Sequence, residues 1–143
     1  MSDSRVVHLV DDEEAIRKSV GFVLSRAGYK VQPYGSGAEF LKQARAAPRG
    51  CVLLDVRMPE MDGLQVQAAM ADRGIDMPVI VLTGHGDVTI AVQAMKAGAV
   101  EFLEKPFEKA ALLAALERAF LRLERNDNRE LEQREALTRI AAL

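Results

Sequence analysis

Three stretches of this chain carry almost no polar residue over the length of a strand: VVHLV (Val6 to Val10), CVLL (Cys51 to Leu54) and VIVL (Val79 to Leu82). A strand with one wet face alternates polar and apolar residues, so a run that is apolar at every position must be covered on both faces. Between these runs the apolar residues change to helical spacing. After the first run, Ala15, Ile16, Val20, Val23 and Leu24 recur at helical intervals over Glu13 to Arg26, and Gly28 marks the stop. The spacing predicts a weaker strand over Tyr29 to Tyr34. Ser36 caps a helix from Gly37 to Ala46 that ends before Pro48. Helices over Leu64 to Asp72 and Val88 to Ala97 follow, with a fifth strand at Val100 to Leu103 and a long last helix from Glu108. Five βα units of this kind define an α/β fold: a five-stranded parallel sheet, doubly wound, flavodoxin-like, with an extended C-terminal helix.

A chain of 143 residues can bury one ordinary core. Its formal net charge of −2 gives no global basic field for nucleic acid. One cysteine, Cys51, leaves no internal disulfide framework and fits a reducing compartment. The opening MSDSRVVHLVDDEE has too short an apolar stretch for a signal peptide, and no run approaches membrane-span length. A soluble cytoplasmic protein is expected.

In doubly wound sheets, ligands bind beyond the carboxyl ends of the strands. Strand one ends in Asp11-Asp12, strand three in Asp55 and strand four in Thr83, and strand five runs into Lys105-Pro106. Three carboxylates, a hydroxyl and an ammonium therefore share one rim. Carboxylates held close repel unless a cation sits among them, and hard oxygen ligands select Mg²⁺ or a similar ion. A metal, a nucleophilic carboxylate and a fixed cation suit phosphoryl transfer. Each piece alone also has a plainer reading. Acids from Asp11 to Glu14 favour a helix N-terminus, Thr83 fits a strand by propensity, and Lys105 before proline is an ordinary turn residue. The coincidence at one rim carries the argument.

The motifs "VDDEE", "LLDVRMPEMDGL", "PVIVLTGHGD" and "AMKAGAVEFLEKPF" resemble the receiver domain of two-component response regulators over residues 5 to about 122, most nearly the FixJ-type subgroup, whose members join a receiver to a helix-turn-helix DNA-binding domain of the LuxR/NarL-like class. The resemblance implies that Asp55 accepts a phosphoryl group from a sensor histidine kinase. Mg²⁺ would be held by Asp12, Asp55 and the Arg57 backbone carbonyl, with Asp11 acting mainly through the metal's water shell. Lys105 would contact a phosphoryl oxygen, and its bond to Pro106 would be cis. Thr83 would swing toward the phosphoryl group and Phe102 would turn inward with it. Pro59 and Gly63 would shape the loop beside Asp55, with Gly63 permitting its turn. The implied protein is a switch and not an enzyme in its own right, one that promotes its own phosphotransfer and dephosphorylation. Its output would be homodimerisation through Val88 to Ala97, Val100 to Leu103 and the last helix.

Several side chains are expected to stay outside the chemistry. His8 reads as a satisfied core or edge histidine, His85 as an exposed loop residue, Cys51 as an inert buried thiol, and the Arg57 side chain as solvated. Leu113, Leu116, Phe120 and Leu123 have the spacing of a coiled-coil seam, suggesting a second contact surface on the last helix. The receiver is expected over residues 1–122 and a linker helix over 123–143, leading to an output domain this chain does not contain. The chain is thus expected to be part of a longer regulator rather than a natural single-domain one, and to reach DNA only through that missing domain. Two other functions fit less well. An aspartyl-phosphate phosphatase of the haloacid-dehalogenase type needs a second acid where Arg57 stands. A phosphate-independent interaction module would have no use for the intact rim.

Overall fold

The structure, a computed structural model, describes residues 5–142, with side chains through Leu137. Residues 1–4 and 143, the outer ends of the expected receiver and linker segments, lie outside the described residues. The element order is β1 (Val6–Val10), α1 (Glu14–Arg26), β2 (Lys30–Tyr34), α2 (Gly37–Gln43), β3 (Cys51–Asp55), α3 (Gly63–Asp72), β4 (Val79–Thr83), α4 (Val88–Lys96), β5 (Glu101–Glu104) and α5 (Lys109–Ala142). All strand pairs are parallel, in the order β2-β1-β3-β4-β5. The chain leaves β1 in one direction for β2 and returns past it to β3, so the topological switch point lies between β1 and β3.

The apolar runs divide residue by residue between two cores. Leu9, Leu53, Ile80 and Leu82 face α1 and α5, where they meet Leu24, Leu112, Leu116 and Phe120. Val10, Val52, Leu54 and Val81 face α2, α3 and α4, where they meet Phe40, Val66 and Ala94. This is why β1, β3 and β4 are buried at every position. The edge strand β5 alternates instead: Leu103 joins the α5 core while Phe102 points outward, 47% exposed.

Ser36 caps α2 as expected, its side chain accepting from the Glu39 amide. Asp62 and Gln65 form a reciprocal capping box that starts α3. The helix expected to reach Ala46 ends at Gln43, because the Ala46 amide closes a tighter turn onto the Gln43 carbonyl. The fifth strand is displaced by one residue from its expected span, since the Val100 amide bonds to the Val79 carbonyl before pairing proper begins.

The seam expected on the last helix is corrected. Leu116, Phe120 and Leu123 are buried against the chain's own sheet, with Leu113 packed beside them. Their spacing is that of one helical face laid on a sheet, which a heptad pattern does not distinguish from a helix partner. The α5 helix runs on without a break through Arg125–Glu130, and Arg49 pairs with Asp127 at 3.0 Å. Beyond it, residues 128–137 are all exposed. No helix among the described residues is long and apolar enough to cross a membrane.

Candidate functional site

The carboxyl ends of β1 and β3 flank the switch point, and their acids meet there. Asp11, Asp12 and Asp55 each offer a carboxylate oxygen, and these oxygens all lie within 4.8 Å of one another. Asp11 and Asp55 are buried while Asp12 is exposed, so the cluster opens to solvent on one side. Local bonds hold the acids. Asp11 accepts from the Glu13 amide at 3.0 Å, and Asp55 accepts from the Arg57 amide at 3.4 Å.

Lys105 arrives from β5. Its amide bonds to the Thr83 carbonyl at 2.8 Å, which extends the β4–β5 pairing one step beyond the strands. Its ammonium donates to Asp11 at 3.2 Å and lies 3.5 Å from Asp55. The Lys105-Pro106 peptide is cis, as the resemblance implied. Burial opposes the charge on Lys105, but Asp55 and Asp11 together outweigh it and raise its pKa. The opposite balance holds at Asp55. Burial, then the charge of Asp11, pushes its carboxyl up to about 6, with Lys105 only partly restraining the rise. A buried acid with this surplus of negative neighbours, opening to water, fits a hard divalent cation with oxygen ligands.

The other expected residues lie around this centre. Thr83 is buried, and its hydroxyl donates to the Leu103 carbonyl at 3.4 Å. Phe102 stands on the outer surface. In the loop after β3, the residue with positive φ is Glu60, at 67°, so Gly63 is not there for its backbone angle. It is there for space. A Cβ on Gly63 would come within 2.8 Å of the Asp55 carbonyl oxygen, and the Gly63 amide bonds to the Val56 carbonyl at 2.8 Å. Pro59 accepts from the Met61 amide in the same loop.

Arg57 differs from its expected place. Its side chain is exposed but not free: the guanidinium donates two bonds to Asp87, at 2.8 and 2.9 Å, bridging the β3–α3 and β4–α4 loops. Sequence reasoning missed Asp87. The only signal was an acid at the start of a helix, which capping alone accounts for. His8 is buried and satisfied, with Nε2 2.8 Å from the Pro48 carbonyl and Nδ1 3.1 Å from the Tyr34 hydroxyl. His85 is exposed beside Glu104, and burial pushes the Cys51 thiol up to about 12.

A parallel sheet in this order, with three acids and a lysine gathered at its switch point, is the arrangement of a receiver domain of two-component response regulators. The response regulator receiver domain family matches residues 7–117, and the chain belongs to that family. It is 44% identical over 143 residues to the transcriptional regulatory protein FixJ of Azorhizobium caulinodans, covering all of this chain and 68% of that protein. It is 49% identical over 113 residues to FixJ of Rhizobium meliloti, covering 79% of this chain and 55% of that one. The crystal structure of FixJ-N superposes with a TM-score of 0.78 at 48% identity, covering 80% of this chain and 92% of that one. The chain thus spans between about half and two thirds of the length of these curated relatives. Members of the family are signalling switches.

Proposed function

We propose that Asp55 is the phosphoacceptor and that a sensor histidine kinase is the donor. The observation that carries this is the placing of the Asp55 carboxylate between two further acids and the Lys105 ammonium, at a rim open to solvent. With its pKa at about 6 the carboxylate is mostly ionised at neutral pH and can act as a nucleophile. An Asp55 oxygen attacks the phosphorus of the donor phosphohistidine. The P–O bond forms as the P–N bond breaks, and the imidazole nitrogen leaves with the electron pair and takes up a proton.

Asp12, Asp55 and the Arg57 carbonyl would hold Mg²⁺, with Asp11 acting through its water shell. The ion would neutralise charge on the phosphoryl oxygens and on the acids. Lys105 is already bonded within the cluster and needs only a small shift to pair with a phosphoryl oxygen. Thr83 gives up the Leu103 carbonyl and turns its hydroxyl to the phosphoryl group, and Phe102 turns inward. The same constellation supports hydrolysis of the acyl phosphate, which resets the switch.

The output surface is the face of α4, β5 and α5. Val88, Val92, Met95, Phe102 and Leu121 are exposed there, and a second receiver would cover them. In a regulator that joins such a receiver to an output domain, these dimers would bring paired output domains together, as the relatives' description as transcriptional regulators suggests.

The test is intact mass and oligomeric size after incubation with Mg²⁺ and acetyl phosphate, with Asp55→Asn in parallel. A phosphoryl adduct on the wild type alone, with a shift toward dimer, is the expected result. An adduct without a size change removes dimerisation as the output. No adduct from acetyl phosphate or from a cognate kinase, with Mg²⁺ still bound, replaces this reading with a phosphate-independent interaction module.

A further inference from the structure

The N-termini of α2, α3 and α4 all carry a residue able to cap, yet only two of them do. Ser36 and Asp62 have extended backbones, with ψ of 160° and 174°, and their side chains bond amides in the first turn of the helix they precede. Asp87 holds the same position before α4, but its ψ is 48° and its carboxylate bonds none of the α4 amides. It is folded back instead. A Cβ on Gly84 would lie 3.0 Å from Asp87 Oδ2, both carboxylate oxygens accept from Arg57, and the Gly84 backbone gives a further, weaker hold. The first amide of α4 with a helical partner is that of Ala91, which reaches the Asp87 carbonyl.

Arg57 faces both Asp55 and Asp87, with Asp87 the stronger hold on its side chain. Its amide touches the Asp55 carboxylate, its side chain holds Asp87, and its guanidinium also feels the Asp55 charge. The pair lies at the surface, where ion pairs are weak and readily exchanged. A phosphoryl group on Asp55 would bring about two negative charges and three strong acceptor oxygens to the loop that carries Arg57.

We propose that Asp87 is a two-position latch: paired with Arg57 it leaves α4 uncapped, and when a phosphoryl group on Asp55 draws Arg57 away, the Asp87 carboxylate turns to cap α4. This rests on Asp55 being the phosphoacceptor. Capacity is not what excludes the two states, since a carboxylate can accept more than two bonds; the backbone is, because the ψ of 48° that turns Asp87 back toward Arg57 differs from the extended ψ of the capping residues Ser36 and Asp62. Gly84 and Gly86, the latter with φ of 85°, let the loop make the change at little steric cost. The consequence is mechanical. Capping orders the first turn of α4, where Val88 stands on the exposed face one turn before Val92. Arg57 and Asp87 are then positioning residues that carry the state of Asp55 to the output surface.

Amide hydrogen exchange of Thr89 and Ile90 in the full chain tests this. In the unphosphorylated protein, Arg57→Ala removes the main hold on Asp87, leaving only the weaker one of the Gly84 backbone, and should slow exchange of these amides by about three- to tenfold, the range a good cap provides. Asp87→Asn loses the ion pair but keeps capping ability, so it should slow exchange similarly. Asp87→Ala, alone or combined with Arg57→Ala, should not. If Arg57→Ala leaves the two amides unchanged, or if the double variant slows them as much as Arg57→Ala does, the latch is overturned. With a phosphoryl adduct verified by mass, the wild type should show the same slowing and Asp87→Ala should lack it. An adduct without slowing overturns the coupling. Failure to form any adduct counts against Asp55 as acceptor and removes the trigger, while the Arg57→Ala arm still decides the exchange of partners.

Discussion

Asp55 stands at a position where burial and a neighbouring acid both oppose its charge, and Lys105 offsets this only in part. Its carboxyl therefore binds a proton more tightly in the folded chain than in the unfolded one, with the pKa raised from 3.8 to about 6. Without divalent cations, folding stability should fall as pH rises through that window, since the folded state there holds the extra proton. The penalty is absent below the unfolded value and complete above the folded one. Asp55→Asn keeps the shape and removes the charge, so at neutral pH it should raise stability by about 1–3 kcal/mol and flatten this pH dependence. Urea denaturation in EDTA at acid and neutral pH checks both. An unchanged pH profile in Asp55→Asn would mean that the carboxylate carries no such burden. Asp55 and Asp11 were legible in the sequence because each directly follows an apolar run and so must lie at a strand end; Asp12 is the next residue after Asp11, and Lys105 follows the alternating fifth strand just before Pro106. Asp87 was not legible, because what distinguishes it is a partner thirty residues away in the chain.

At the scale of elements, the loop between β3 and α3 sets where Asp55 sits. The sequence announced a turn through Pro59 and Gly63, but not how the two act. The strained dihedral falls on Glu60, and Gly63 is where α3 begins with its backbone against that of Asp55 and Val56. Gly63→Ala should therefore act by collision and not by backbone preference. Its methyl would need the Asp55–Val56 segment to move, with a loss of about 1–3 kcal/mol typical of overpacking. A slower rate of phosphoryl uptake from acetyl phosphate should accompany that loss. Denaturant titration together with the uptake rate measures the pair of effects. A destabilised variant that takes up phosphate at the wild-type rate would separate Gly63 from the placing of Asp55.

For the whole molecule, α5 divides between core and surface without a break in the helix. Phe120 lies fully inside, stacked on Tyr29 with ring centroids 5.4 Å apart and with the Arg5 guanidinium over its face. Arg5 in turn grips Glu124 and Glu117, fastening the N-terminal strand to the last helix. Leu131, one stretch further on, is 54% exposed. Phe120→Ala should lower stability by about 3–5 kcal/mol, whereas Leu131→Ala should change it by less than about 0.5 kcal/mol. Thermal or chemical denaturation of the two variants tests where the receiver core ends. Comparable losses in both would place residues beyond Asp127 in the folding unit.

The sequence by itself determined the class of fold and the chemistry of the rim. Runs such as CVLL leave a strand no wet face, and Gly, Pro and capping residues punctuate the units, so parallel strands with helices on both sides follow from local pattern. Asp11, Asp12, Asp55, Thr83 and Lys105 then fall at one edge because strand direction in a parallel sheet is shared. What only the tertiary structure decided are matters of partner choice. The apolar stripe of α5 could have met another helix or the chain's own sheet, and burial against β3 and β4 took Leu116 and Phe120 inward. Arg57 could have stayed in water, and Asp87 could have capped its helix, until the loops at neighbouring strand ends brought the two within bonding distance. A periodicity records which residues need cover, and a charge records what it attracts. Neither says which surface arrives, because that depends on contacts between residues far apart in the chain.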